Sequence, residues 1–269
     1  MATRDETIDI EVGGEQIAGT LVSPATRLPG VLFVHGWGGS QEQYLARARE
    51  IAALGCICLT FDLRGHGDTD AQQASVSREN NLRDVLTAYD TLARQPQVDP
   101  GAIAVIGSSY GGYLGAILTT MRPVKWLALR VPALYIDSGW EVPKLQLHKD
   151  QDLKSYRRHF VDASDNRALR ACAAFRGDVL LVESECDTVI PPPVIASYRE
   201  ACIAAHSLTY RVIEGADHGL SDEASQRAYT ALLVNWMTEM VFGARSGNVA
   251  PVVPAASGRT MPEAPPKPG

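Results

Sequence analysis

Short, apolar runs recur along this chain and constrain its fold more than any other feature: GVLFV (30–34), CICL (56–59), AIAVI (102–106), WLAL (126–129) and VLLV (179–182). Each is too short for a helix and lacks polar alternation, so each reads as a strand buried on both faces. The strands expected are GVLFVHG (30–36), CICLTFD (56–62), AIAVIGS (102–108), KWLALRV (125–131), DVLLVES (178–184) and LTYRVIE (208–214). Between them EQYLARAREIAALG (42–55) predicts a helix closed by Gly55, and Leu82, Val85, Leu86, Tyr89, Leu92 and Ala93 fall at helical spacing before Pro96. Further helices are expected over 110–121 and near 194–205 and 222–242. Strands alternating with helices predict an α/β fold, a mostly parallel central sheet covered on both faces, with ligands gathering at the carboxyl ends of the strands.

Three segments fall outside this alternation. TIDIEV and QIAGTLV read as two strands joined in a hairpin around Gly13-Gly14. Residues 132–175 are long, polar and rich in charge, which suits a small helical cap inserted in a domain spanning 1–242. Residues 243–269 contain no aromatic residue and end in PEAPPKPG, the composition of a flexible tail.

Composition narrows the function classes. The net charge of −6 comes without a basic block that could neutralise phosphates, so nucleic acid is not expected as a partner. No apolar run approaches the roughly 18 residues a membrane span needs, and MATRDETIDIEV has no apolar signal core, so the expected location is cytoplasmic. Five cysteines, an odd number without a CxxC pair or a Cys/His cluster, point to reduced thiols and give no support for a metal site. No cofactor is expected, and a homo-oligomer is left open.

The segment VIGSSYGGYL (105–114) holds two adjacent serines. Only Ser109 has glycines two residues away on both sides, Gly107 and Gly111, which makes the G-x-S-x-G of a nucleophile elbow. The strand AIAVIG before it and the helix YLGAILTTM after it supply the context that this motif requires. A serine hydroxyl needs a histidine base and a carboxylate to orient it. Of the histidines beyond Ser109, His148, His159 and His206 lie in the cap or at a helix end, whereas His218 follows the strand LTYRVIE in a glycine-flanked loop. Asp187 stands just past the strand DVLLVES, with Glu183 and Glu185 as competing carboxylates. His35-Gly36-Trp37-Gly38-Gly39 forms a loop able to turn a backbone N–H toward an oxyanion, and His35 and His66 read as structural.

Taken in order, HGWGG, DLRGHGDTD, GSSYGG, ESECDTVIPP and GADHG resemble the α/β-hydrolase superfamily, in its esterase, dienelactone-hydrolase or acyl-peptidase branches, over residues 30–242. The resemblance implies the α/β-hydrolase fold, with Ser109 as nucleophile, His218 as base, Asp187 as acid and the N–H groups of Trp37 and Tyr110 as oxyanion hole. The implied activity is that of a serine esterase on a small-molecule acyl substrate, with thioester, amide or peptide cleavage, or ligand binding without turnover, as alternatives. Tyr113, Tyr135 and Trp140 are candidate walls of the substrate pocket, a role that large aromatics share with ordinary core packing. The DLRGHGDTD loop departs from many relatives by carrying Asp-Thr where they have serine.

Overall fold

The computed structural model describes residues 3–12, 15–24 and 27–247. Six strands form one wholly parallel sheet: β3 (Leu28–Val34), β4 (Ile57–Thr60), β5 (Val98–Ser108), β6 (Trp126–Arg130), β7 (Asp178–Ser184) and β8 (Ser207–Ile213), in the spatial order β4-β3-β5-β6-β7-β8. The preceding strands β1 (Thr3–Val12) and β2 (Glu15–Pro24) pair antiparallel as a separate two-stranded sheet, and their expected Gly13-Gly14 turn lies outside the described residues.

The strands read as continuous apolar runs because each serves two cores. Leu32 and Val34 of β3, Ile103 and Val105 of β5, and Leu127 and Leu129 of β6 face one apolar cluster, which contains residues of α2 (Arg78–Ala93), α3 (Tyr110–Leu118), α6 (Arg167–Ala174) and α7 (Pro192–Ala201). Their neighbours Val31, Phe33, Ala104, Ile106 and Ala128 face the other, built with α1 (Glu42–Ala53) and α8 (Glu223–Gly247). Successive side chains thus point to opposite layers, the period-two rule of a strand with no solvent face. Helix α2 starts at a full capping box, Ser77 and Asn80 exchanging side-chain and backbone hydrogen bonds.

Of the boundaries that differ from the sequence reading, two have a plain cause. Strand β5 begins at Val98 rather than Ala102, because a register shift between Pro29 and Gly30 of the neighbouring strand accommodates the Asp99-Pro100-Gly101 segment. Helix α8 continues through Ala-Arg-Ser to Gly247, as no proline intervenes before Pro251, and residues 248–269 lie outside the described residues. Within 132–175 the short helices α4 (Lys144–Asp150) and α5 (Leu153–Arg157) lie over the carboxyl ends of the strands, tied down by a bridge between Ser77 and Pro143. Helix α6 instead buries Ala168, Leu169 and Cys172 in the main core.

The chain leaves β3 toward β4 on one side and then crosses to β5 on the other. The loops after β3 and β5 therefore diverge from adjacent strand ends, the place where open α/β sheets open a crevice. Val34 pairs with Gly107, so the HGWGG loop and the GSSYGG turn emerge side by side.

Candidate active site

Ser109 caps α3 with φ 51° and ψ −115°, a left-handed conformation that L-residues adopt only under constraint. The constraint is steric. A Cβ on Gly107 would come 2.5 Å from the Gly111 carbonyl oxygen, and one on Gly111 would come 2.1 Å from the carbonyl oxygen of Val34. The two glycines let strand, turn and helix crowd together, and the crowding holds Ser109 out at the tip. Its Oγ lies 3.1 Å from Nε2 of His218, whose Nδ1 lies 2.7 Å from Oδ2 of Asp187.

The Asp187 carboxylate is only 3% exposed, and its other oxygen accepts the backbone N–H groups of Val189 at 2.7 Å and Ile190 at 2.8 Å. Burial pushes its pKa up, but the hydrogen bonds from His218 and these two amides outweigh burial and hold it below the usual carboxylate range. The competing acids are engaged elsewhere: Glu183 accepts the Tyr210 hydroxyl, and Glu185 accepts the Gly215 N–H at 2.7 Å. Ser108 accepts from Nε of Arg130 at 3.3 Å. His206 pairs with Asp178 at the far end of the sheet, and His159 bonds the Ser155 carbonyl.

The loop after β3 closes on the serine. A Cβ on Gly36 would sit 3.4 Å from the Ser109 Cβ, so Trp37 follows directly beside the turn. The Trp37 N–H bonds no backbone carbonyl among the described residues, and Tyr110, as the first residue of α3, has no carbonyl four residues back in its helix. His35 braces this loop: its Nε2 accepts the Leu63 N–H at 3.0 Å and its Nδ1 is 2.7 Å from the Gly36 carbonyl. Burial lowers the His35 pKa, in keeping with a neutral ring in a structural role. Asp62 pins the same loop by accepting the backbone and side-chain N–H groups of Gln41.

Above these amides the aromatic residues gather around cations. Tyr113 and Tyr135 are buried and Trp140 is partly exposed; Tyr113 stacks on Trp140 at 6.0 Å and meets Tyr135 edge-on at 5.0 Å. The guanidinium of Arg78 lies 5.0 Å from the Trp140 ring centre, and the ammonium of Lys144 lies 3.8 Å from that of Trp37. Burial, with Arg157 and Arg78 nearby, pushes Lys144 down to about 6. Neither Arg78 nor Lys144 was singled out by sequence reasoning. Arg78 opens a helix and Lys144 lies in a charged cap, positions where basic residues are ordinarily solvated, so only the fold reveals their burial.

Residues 31–232 match the alpha/beta hydrolase family. The chain belongs to that family. An uncharacterized Mycobacterium tuberculosis protein is 27% identical to this hydrolase over 213 residues, 78% of this chain and 70% of its own. The human mitochondrial palmitoyl-protein thioesterase ABHD10 is 33% identical over a shorter stretch of 103 residues, covering 38% of this chain and 32% of its own. Among solved structures, the monoacylglycerol lipase of Paleococcus ferrophilus superposes with a TM-score of 0.60 at 17% identity, over 80% of this chain and 97% of its own, a likeness of fold. No helix among the described residues of this hydrolase is long and apolar enough to cross a membrane.

Proposed function

We propose that the protein is a serine hydrolase that cleaves carboxylic esters of small to medium, soluble substrates. The observation that carries this reading is the hydrogen-bonded chain Ser109–His218–Asp187 at a strained strand-to-helix turn. Ser109 Oγ attacks the acyl carbonyl while His218 Nε2 takes its proton. The N–H groups of Trp37 and Tyr110 receive the developing oxyanion. The proton passes to the departing alkoxide as the ester bond breaks, and a water molecule, deprotonated by the same nitrogen, then releases the acid and restores the serine. Asp187 keeps the proton on Nδ1 of His218 and stabilises the imidazolium, and its depressed pKa keeps it ionised for that task.

The cap supports the soluble-substrate reading. Its Leu147 and Leu153 are buried and Lys149, Asp150, Asp152 and Lys154 are exposed; Phe160 is exposed but stands singly beside the exposed Arg158 and His159, so the described residues of the cap offer no broad apolar face to an oil surface. The test is labelling with a fluorophosphonate, which requires an activated serine. A covalent adduct on Ser109 that is lost in Ser109→Ala supports the proposal; an unlabelled protein makes it a ligand-binding member of the family. Thioester cleavage is the second reading, favoured by the local likeness to ABHD10, and side-by-side kinetics on matched ester and thioester substrates decide between them.

A further inference from the structure

A polar cavity of about 220 Å³ lies behind the His218 loop, on the side of the sheet covered by α1 and α8. Arg47, Ser108, Arg130, Gln226 and Tyr229 line it, with Gly219 at its edge. Nothing in the proposed ester chemistry uses this space.

Its charge is unbalanced. Arg130 is 7% exposed, yet no carboxylate among the described residues lies within 4.0 Å of it or of Arg47. Arg130 donates Nη1 to the His218 carbonyl at 3.0 Å and to Ser184 Oγ at 3.4 Å, and Nε to Ser108; Arg47 donates Nε to Thr230 at 3.1 Å and Nη1 to the Gln43 carbonyl at 2.8 Å. The Nη2 group of each arginine has no acceptor among the described residues. Asp217, the carboxylate that feels Arg130, is occupied with the N–H and hydroxyl of Ser221. Both guanidiniums lie against one ring, 5.1 Å and 5.6 Å from the centre of Tyr229. Tyr229 is 1% exposed, and its hydroxyl has only Ser108 beside it, without a well-formed hydrogen bond.

A buried guanidinium without a carboxylate in contact and a buried hydroxyl without a well-formed hydrogen bond are both costly, and one anion relieves both. We propose that this cavity binds a small oxyanion with the size and charge of inorganic phosphate, held by the Nη2 groups of Arg47 and Arg130 and by the Tyr229 hydroxyl. Guanidinium forks suit phosphate and carboxylate oxygens. Because Arg130 also grips the His218 carbonyl, the bound anion stiffens the loop that carries the imidazole, and the site is a lever on it.

Inorganic phosphate titrated at constant ionic strength against chloride tests this directly. Saturable binding is expected with Kd on the order of 1 mM, and backbone amide shifts of Ser108, Gly219 and Tyr229 are expected to move together in the parent protein. Arg47→Gln, which alters a partly exposed residue outside the ester machinery, is expected to weaken binding at least about tenfold. Tyr229→Phe is expected to weaken it less, by about two- to fivefold. The proposal is overturned by non-saturable shifts, by shifts confined to other parts of the chain, or by unchanged affinity in both variants.

Discussion

Ser108 and Ser109 are neighbours in sequence, yet their hydroxyls serve different networks: Ser109 Oγ lies 3.1 Å from Nε2 of His218, and Ser108 Oγ accepts from Arg130. The two serines are therefore separable by experiment. Ser109→Ala is expected to lower kcat by about 10⁴-fold or more, whereas Ser108→Ala loses only a hydrogen bond at the edge of the His218 loop and keeps activity within about tenfold. Steady-state kinetics on a p-nitrophenyl ester reads both, and a dead Ser108 variant would move the nucleophile by one residue.

Asp187→Asn removes the carboxylate that fixes the imidazole tautomer, and a fall of about 10⁴ in kcat is expected. Glu183→Gln and Glu185→Gln act on carboxylates bonded to Tyr210 and Gly215, so their effect is expected to stay within about tenfold. The reverse ranking in kcat would reassign the acid.

The glycines around the turn differ in how tightly they are enclosed. Gly111→Ala forces a methyl group to within 2.1 Å of a backbone oxygen, and a loss of about 3 kcal/mol or more, or failure to fold, is expected. Gly36→Ala meets only ordinary contact at 3.4 Å, so denaturant unfolding is expected to place it within about 1 kcal/mol of the parent. Equal losses at the two positions would contradict this account of the elbow.

Lys144 gives stability a pH dependence. Its folded pKa of about 6 lies below its unfolded value near 10.5, so across that window the unfolded chain binds more protons and the Lys144 contribution to stability rises with pH. Below about 6 both states are protonated and the cost is full and constant. Lys144→Met keeps the stem and removes the charge; it is expected to raise Tm relative to the parent, by more at pH 6 than at pH 9. A pH-independent difference would show that the ammonium is not the cause.

The cap predicts kinetics without interfacial activation. Short and medium p-nitrophenyl esters are expected to follow ordinary saturation, and an emulsified triglyceride is expected to give no jump in rate beyond its solubility limit. Strong activation with preference for long chains would mean that the inward-facing Leu147 and Leu153 swing out.

Much of this was legible in the sequence because it follows from local rules. Apolar runs located the strands of the central sheet, and the glycine spacing around Ser109 together with the loop position of His218 identified two groups that the fold brings into contact. Asp187 was distinguishable from Glu183 and Glu185 only by what each carboxylate touches, which depends on the register of β7 against β8. Arg78, Lys144 and Arg130 left no signal because a basic residue is ordinarily at the surface, and its burial is decided by elements distant in the chain.

The backbone of Ser109 carries one more consequence. At φ 51° a glycine would rest without strain, while any other residue costs on the order of 1 kcal/mol or more. Ser109→Gly is thus expected to melt higher than the parent while losing its turnover. A library screened only for thermostability would drift toward glycine at this position, and a sequence designer scoring backbone comfort alone would discard the serine. On the proposed function, the serine is held there for the chemistry of its hydroxyl and against the preference of the fold.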